Sequence, residues 1–231
     1  MDFLRKTVER NRGLVKEAAD LHQRGIIPPN TVVIDLDTVE KNAELIKSEA
    51  DKRGLSNYFM TKQLGRNPLV SKVLADQGMK AVAVDIEGAK SLDRYGIPVG
   101  HVGHLCQIPK HDIEYVLREI EPEVITLYSF EMAKIISEKA RELGKVQDVM
   151  IRVVGEDDFF YPHQKGGIPE ENLLGTAEDI DNLKGLKVVG TVSFPCLRFN
   201  IKNREEEVLP NLKTIVRAAS KLERELGIEI S

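Results

Sequence analysis

The chain has 231 residues, with 33 basic and 37 acidic side chains giving a formal net charge of −4, a 42% hydrophobic fraction and a 30% charged fraction. That composition suits a soluble globular domain with a real core, and it lacks the basic excess of a dedicated nucleic-acid binder. Two cysteines, Cys106 and Cys196, make neither a disulfide framework nor a zinc cluster. The charged start MDFLRKTVERNRG is not a signal peptide, and no apolar run reaches the roughly 18 residues that span a bilayer. The expectation is a cytoplasmic protein with no membrane or nucleic-acid partner.

In chain order, Phe3, Leu4, Val8, Leu14, Val15, Ala18 and Leu21 predict one amphipathic helix over the first 25 residues, stopped by Gly25. Pro28-Pro29 makes the linker that follows. From there short apolar runs alternate with helical patterns. TVVIDL (31–36) predicts a strand, and a helix runs from Asp37-Thr38 to before Gly54. Further strands are expected at 57–62, 80–85, 99–105, 123–130, 148–154 and 187–194, with helices between them. The helix after the last strand is expected from Arg204 to Leu226, with Arg204-Glu205-Glu206-Glu207 as its acidic first turn. GIEIS (227–231) then looks like the opening of another strand.

Continuous apolar strands between amphipathic helices are the mark of a parallel sheet in the α/β class. No GxGxxG follows any strand, and polar strand-end residues are spread along the whole chain. Both facts favour a (β/α)8 TIM-type barrel over an open doubly wound sheet. The expected organisation is an N-terminal helix and linker over 1–29 and one barrel domain over 30–231.

Chemistry in such folds sits at the carboxyl ends of the strands. Lys62 stands out there, closing an apolar strand in which period 2 places Tyr58, Met60 and Lys62 on one face. A lysine among apolar groups is driven toward a nucleophilic amine able to form a Schiff base with a carbonyl compound such as pyridoxal phosphate (PLP). The plainer reading is a lysine reaching out of a strand end to solvent. His101 and His104 in GHVGH, three apart on a strand, are expected on opposite faces, which argues against a shared metal. His104 at the strand end can still line a pocket. No metal site is expected. The long segment GEDDFFYPHQKGG (155–167) reads either as ordinary surface or as a functional loop.

Asp35-Leu36-Asp37 with Asn42, followed by Met60-Thr61-Lys62, resembles the fold-type III PLP enzymes, the family of the alanine racemase N-terminal domain. MTKQLGRNP (60–68), GHLCQIP (103–109) and Phe194-Pro195-Cys196 add to the resemblance, which runs from about residue 30 onward. It implies a PLP cofactor on Lys62, with Lys62 also a proton carrier. It implies cofactor-binding roles for Arg66, His104, Arg152 and Ser193. Arg66 stands where alanine racemases place a phosphate-contacting tyrosine, and an arginine suits a phosphate through charge-assisted bonds. Ser193 stands where those racemases carry the histidine lying against the cofactor ring.

The activity implied is amino-acid racemisation or epimerisation in a homodimer. The alternative is a non-catalytic PLP carrier. If Lys62 closes strand one of a barrel, the chain reaches about strand seven, so the expectation is an incomplete barrel, lacking the last strands and a C-terminal β domain.

Overall fold

A computed structural model describes residues 2–230 of the chain. It divides into two compact units, Met1–Ser56 and Asn57–Ser231. The first holds α1 (Asp2–Arg10), α2 (Arg12–Gln23) and α3 (Leu36–Asp51). The single opening helix expected from the apolar stripe is therefore two helices; of that stripe, the Phe3 side chain lies outside the described residues. Asn11 makes the break. Its backbone leaves the helical region at φ −141°, and its Oδ1 accepts a hydrogen bond from the Leu14 amide at 3.0 Å, capping α2. Asparagine competes with helical backbone for its own bonds, so it favours a cap over a mid-helix position.

Asn11 Nδ2 also donates to Asp35 Oδ2 at 2.6 Å. Asp35 caps α3 in turn by accepting from the Thr38 amide at 3.0 Å. That amide first, and then the Asn11 and Thr38 side chains, hold the Asp35 carboxyl below its usual range. The strand expected over 31–36 does not form: residues 31–35 lie outside any ladder and Leu36 already belongs to α3. β-branched residues supply an extended preference, but a strand exists only where a partner pairs with it.

The second unit is a parallel sheet wrapped by helices. Its strands are β1 (Tyr58–Phe59), β2 (Lys80–Ala83), β3 (Val99–Val102), β4 (Val124–Leu127), β5 (Gln147–Val154), β6 (Ile168–Pro169) and β7 (Leu186–Val192). β1 to β5 pair in sequence order, and β7 joins β5, all parallel. The register places Tyr58 beside Lys80, His101 beside Val124 and Arg152 beside Val192. The helices between are α4 (Pro68–Asp76), α5 (Ile86–Arg94), α6 (Ile113–Tyr115, within a longer helical stretch over 110–120), α7 (Phe130–Glu142) and α8 (Leu173–Asp181). This is the α/β alternation expected from the sequence, with β1 and β7 as outer strands of the barrel sheet among the described residues.

The core lies between sheet and helices. Ile125, Leu127 and Ile151 of the strands are essentially sealed, as are Ala133 and Ile136 of α7 and Leu173 and Ile180 of α8. Each of these leucines and isoleucines contributes about 1.5–3 kcal/mol by leaving water, and truncating one to alanine costs about 2–5 kcal/mol.

Three short strands depart from the sequence pattern after β5. β6 adds two residues to the end of β5, pairing Val153 with Ile168. β8 (Leu197–Asn200) and β9 (Glu205–Val208) form an antiparallel hairpin where a helix was expected to start. The acidic run 205–207 is thus strand, not a helix first turn. Arg198 forks onto Glu207 across the hairpin at 2.8 and 3.1 Å, which matches cross-strand charge pairing. α9 (Pro210–Lys221) begins only where Pro210 presets a helical φ. Residues 228–230 form no strand, and Ser231 lies outside the described residues.

Candidate active site

Lys62, separated from β1 by two residues, opens a 3-10 turn, Lys62–Leu64, that ends on Gly65 in the left-handed region at φ 62°. β1 spans two residues, so the alternation expected to carry Lys62 into apolar surroundings stops short of it. The side chain is exposed. Its positive charge still reaches His104, where it helps to disfavour the imidazolium.

Arg66 follows at φ 56° and turns its guanidinium onto Asp85, with Nη2 donating to Oδ2 at 2.6 Å. Asp85 also caps α5 through the Gly88 amide at 2.6 Å. A Cβ at Gly88 would come within 2.6 Å of Arg66 Nε, so a side chain there would push the guanidinium aside. Arg66 therefore stands in the turn after Lys62, with its charge matched by Asp85.

At the end of β3 the two histidines come together. Strand alternation separates them in the sequence, but Gly103, at φ 84°, breaks the period after Val102. The His101 and His104 rings meet edge to face at 5.4 Å. His101 Nε2 shares a 2.6 Å hydrogen bond with the Thr126 hydroxyl. Burial first, and then His104, push His101 down to about 4. Burial first, and then the charges of Arg152 and Lys62, push His104 down to about 4. Both imidazoles are neutral near pH 7.

Arg152 lies toward the carboxyl end of β5, between β4 and β7, and is fully buried. Its Nε donates to the Gly166 carbonyl at 3.3 Å and one Nη to the Phe194 carbonyl at 3.0 Å. The guanidinium stands 5.7 Å from the Tyr128 ring, whose hydroxyl donates to the His104 carbonyl at 2.6 Å. Gly167 lets the loop pass, since a Cβ there would approach Arg152 to 2.6 Å. Phe194 packs on His104 at 5.5 Å and Tyr161 on Phe194 at 6.1 Å. Ser193, just past β7, is buried, and its Oγ accepts from Asn211 at 3.3 Å.

The carboxyl ends of β1, β3, β5 and β7 thus bring Lys62, His104, Arg152 and Ser193 to one end of the sheet, with Arg66 held beside β2. Four buried side-chain atoms there and in the following loop have no partner: His104 Nδ1, Gln107 Oε1, Arg152 Nη1 and Gln164 Oε1. A buried polar atom without a partner costs about 1–3 kcal/mol, so native proteins keep few of them. A ligand carrying both acceptor and donor atoms would satisfy such a set. Among the described residues no cluster of three or more His, Cys, Asp or Glu side chains is placed to hold a metal ion.

Sequence reading did not single out Gln107 or Asn211. Gln107 lies within the GHLCQIP segment, where its spacing after His104 was the available signal. Nothing local marks Asn211, which becomes buried only because α9 packs over the strand ends.

Against known proteins, residues 34–231 match the model of "Alanine racemase, N-terminal domain". The chain is 36% identical over 221 residues to the Escherichia coli K12 protein named "Uncharacterized protein YhfX", covering 95% of this chain and 57% of that relative. Helicobacter pylori diaminopimelate decarboxylase, solved with L-lysine, superposes with a TM-score of 0.66 at 21% identity, covering 85% of this chain and 50% of that one. An SrLDC mutant in complex with PLP gives 0.68 at 16% identity, covering 94% and 53%. Clostridium difficile 630 alanine racemase gives 0.54 at 16% identity, covering 82% and 49%. The chain spans about half the length of these solved relatives. No described helix is long and apolar enough to cross a membrane. With the family match extending over all of the barrel sheet, the chain belongs to the alanine racemase N-terminal-domain family.

Proposed function

We propose that this chain binds PLP on Lys62 and forms the cofactor-bearing part of an enzyme that racemises or epimerises an amino acid. The observation that carries the reading is the pair of buried, partnerless nitrogens, Arg152 Nη1 and His104 Nδ1, the imidazole feeling the charges of both Arg152 and Lys62. They fit PLP, a compound rich in acceptor oxygens with a carbonyl for a lysine amine. When bound, PLP renders the α-proton of an attached amino acid acidic by spreading the resulting charge over its ring.

This chain's own residues have distinct parts in that chemistry. Lys62, on an exposed turn, can leave its solvent position to hold the cofactor and later carry a proton. Arg152 is fixed by two carbonyls, and its free Nη1 would donate to an anionic oxygen of the cofactor, a charge-assisted bond of about 1.5–3 kcal/mol. His104, kept neutral by burial and by two cations, presents an imidazole rather than a third positive charge. Phe194, half-buried, packs its ring against His104, with the exposed Tyr161 ring beyond it. Arg66 can serve a phosphate by exchanging its Asp85 partner for it.

The test is visible absorbance after PLP addition, then borohydride reduction and peptide mapping in wild type and Lys62→Ala. Label confined to Lys62 supports cofactor binding; label scattered over surface lysines sinks it. Exchange of the α-proton in D2O across a panel of amino acids then decides the reaction, and PLP retained without exchange marks a non-catalytic carrier. The homodimer and the cytoplasmic location that accompany the family resemblance belong to the same proposal, and light scattering checks the dimer.

A further inference from the structure

Asn211 is a deeply placed polar residue that the chemistry above does not use. It sits in the first turn of α9 and is fully buried. Its Oδ1 accepts from the Phe159 amide at 3.0 Å, and its Nδ2 donates to the Phe159 carbonyl at 3.1 Å and to Ser193 Oγ at 3.3 Å. One side chain therefore reads both backbone groups of a loop residue and the hydroxyl at the end of β7.

One turn on, Thr214 donates to Asp158 Oδ1 at 2.7 Å, while Asp158 Oδ2 accepts from the Gly155 amide at 2.9 Å. Gly155 has to be glycine, as a Cβ would stand 2.5 Å from Thr214 Oγ1. Farther along α9, Arg217 and Lys221 hold Glu170 just beyond the far end of the same loop, at 2.7 and 3.0 Å. The near half of the loop is thus pinned by α9 and its last residues by Arg152 through the Gly166 carbonyl. Between these pins the Phe159 ring meets Tyr161 at 5.2 Å, and Tyr161 meets Phe194, the neighbour of His104.

We propose that Asn211 is a positioning residue of this site: it locks the loop over 155–167 to the Ser193 end of β7 and so fixes the wall that faces Arg152 and His104. The proposal rests on the PLP reading for its consequence, and on contacts within the chain for the lock itself. A buried amide with all three bonds made is worth more as a unit than its parts, so removing either end should uncouple both.

Two measurements on the whole protein test it: amide hydrogen exchange without cofactor, and PLP titration followed by absorbance. The variants are Asn211→Ala, Asn211→Asp, Ser193→Ala and the Asn211→Ala/Ser193→Ala pair, with Ile180→Val in α8 as a control for plain destabilisation. Exchange at the Phe159 amide should rise at least tenfold in Asn211→Ala and less in Asn211→Asp, which keeps the acceptor. PLP affinity should fall about tenfold in both, with a shifted absorbance maximum. The double variant should bind no more weakly than Asn211→Ala alone.

Wild-type PLP affinity and absorbance in the Asn211 variants, losses that simply add to those of Ser193→Ala, or losses equalled by Ile180→Val overturn the proposal. Should the wild-type protein take up no PLP, the PLP reading falls. The exchange contrast then decides the lock by itself, and unchanged exchange at Phe159 overturns it. If Asn211→Ala fails to fold, Asn211→Asp and Ser193→Ala carry the same comparison.

Discussion

The two ends of the sheet carry polar clusters of similar size and opposite character. At the amino ends, Tyr58 donates to Glu123 Oε2 at 2.5 Å and Lys80 pairs with Glu123 Oε1 at 2.6 Å. Gly100 of β3 leaves room for them, since a Cβ there would stand 2.5 Å from the Tyr58 ring. Every group in that trio has a partner. At the carboxyl ends, Arg152 and His104 are more deeply placed and yet keep a partnerless nitrogen each. A polar cluster that satisfies itself is fully accounted for as structure, whereas one that buries unspent donors and acceptors is prepared for something from outside. The same sheet supports both because strand starts and strand ends face different loops.

Substitutions at the two ends should therefore fail differently. The largest effect is expected from Arg152→Gln: PLP affinity measured by titration falls about 10- to 100-fold, the worth of one charge-assisted bond. Thermal stability should fall as well, because the Gly166 and Phe194 carbonyls lose the arginine's donors, so affinity is compared where both proteins are folded. A variant that unfolds but binds normally when folded would put Arg152 in the structural class with Glu123.

Acid titration is next in size. His101 and His104 are held at about 4 in the folded chain against 6.5 when free. The unfolded chain thus binds more protons between those values, and stability is full above pH 6.5 and drains as pH falls toward 4. The loss should be on the order of a few kcal/mol for the pair, read as the pH dependence of urea unfolding. Glu170, held at about 2 chiefly by Arg217 and also by Lys221, adds a separate loss that begins only below 4.5. A His104→Gln variant should shrink the upper window to the part His101 supplies and leave the lower one. An unchanged upper window would mean that His104 titrates freely.

A smaller effect is expected at the self-satisfied end. Tyr58 is raised to about 12 by burial and by its bond to Glu123. Glu123→Gln should bring the phenol back toward 10 in an ultraviolet titration and cost about 0.5–1 kcal/mol, as suits a half-exposed pair. PLP binding should not move. The smallest change is expected from Arg198→Gln on the hairpin, whose exposed, solvent-screened pair with Glu207 should leave urea unfolding nearly unmoved. A larger loss there would show that the hairpin, rather than α9, organises the loop it faces through Phe159.

Much of this molecule can be read without coordinates. The runs around residues 80–85, 123–130, 148–154 and 187–194 are apolar and β-branched, and each became a strand of the parallel sheet because burial on both faces demands that composition. Lys62, His104, Arg152 and Ser193 were legible as strand-end residues by position alone. The misreadings have definite causes. TVVIDL has the composition of a strand without a pairing partner among the described residues. Arg204 to Glu207 has the charges of a helix start, but Arg198 draws Glu207 into a hairpin and Pro210 delays the helix. Asn11 looked like one polar residue in a long stripe and proved to be a cap.

What the sequence determined was the local: which segments are extended, which are helical, where glycine permits a left-handed turn, and which polar residues end strands. Those follow from forces acting within a few residues, and they are written in composition and spacing. Only the tertiary structure decided that His101 and His104 meet, that Arg152 is buried with a nitrogen to spare, that Arg66 is matched by Asp85, and that Asn211 joins the loop to Ser193. Each of these depends on residues 3 to 52 positions apart being brought within a few ångströms, and on which of them water can no longer reach. Desolvation turns an ordinary histidine or asparagine into part of a site, and it exists only once the chain has packed.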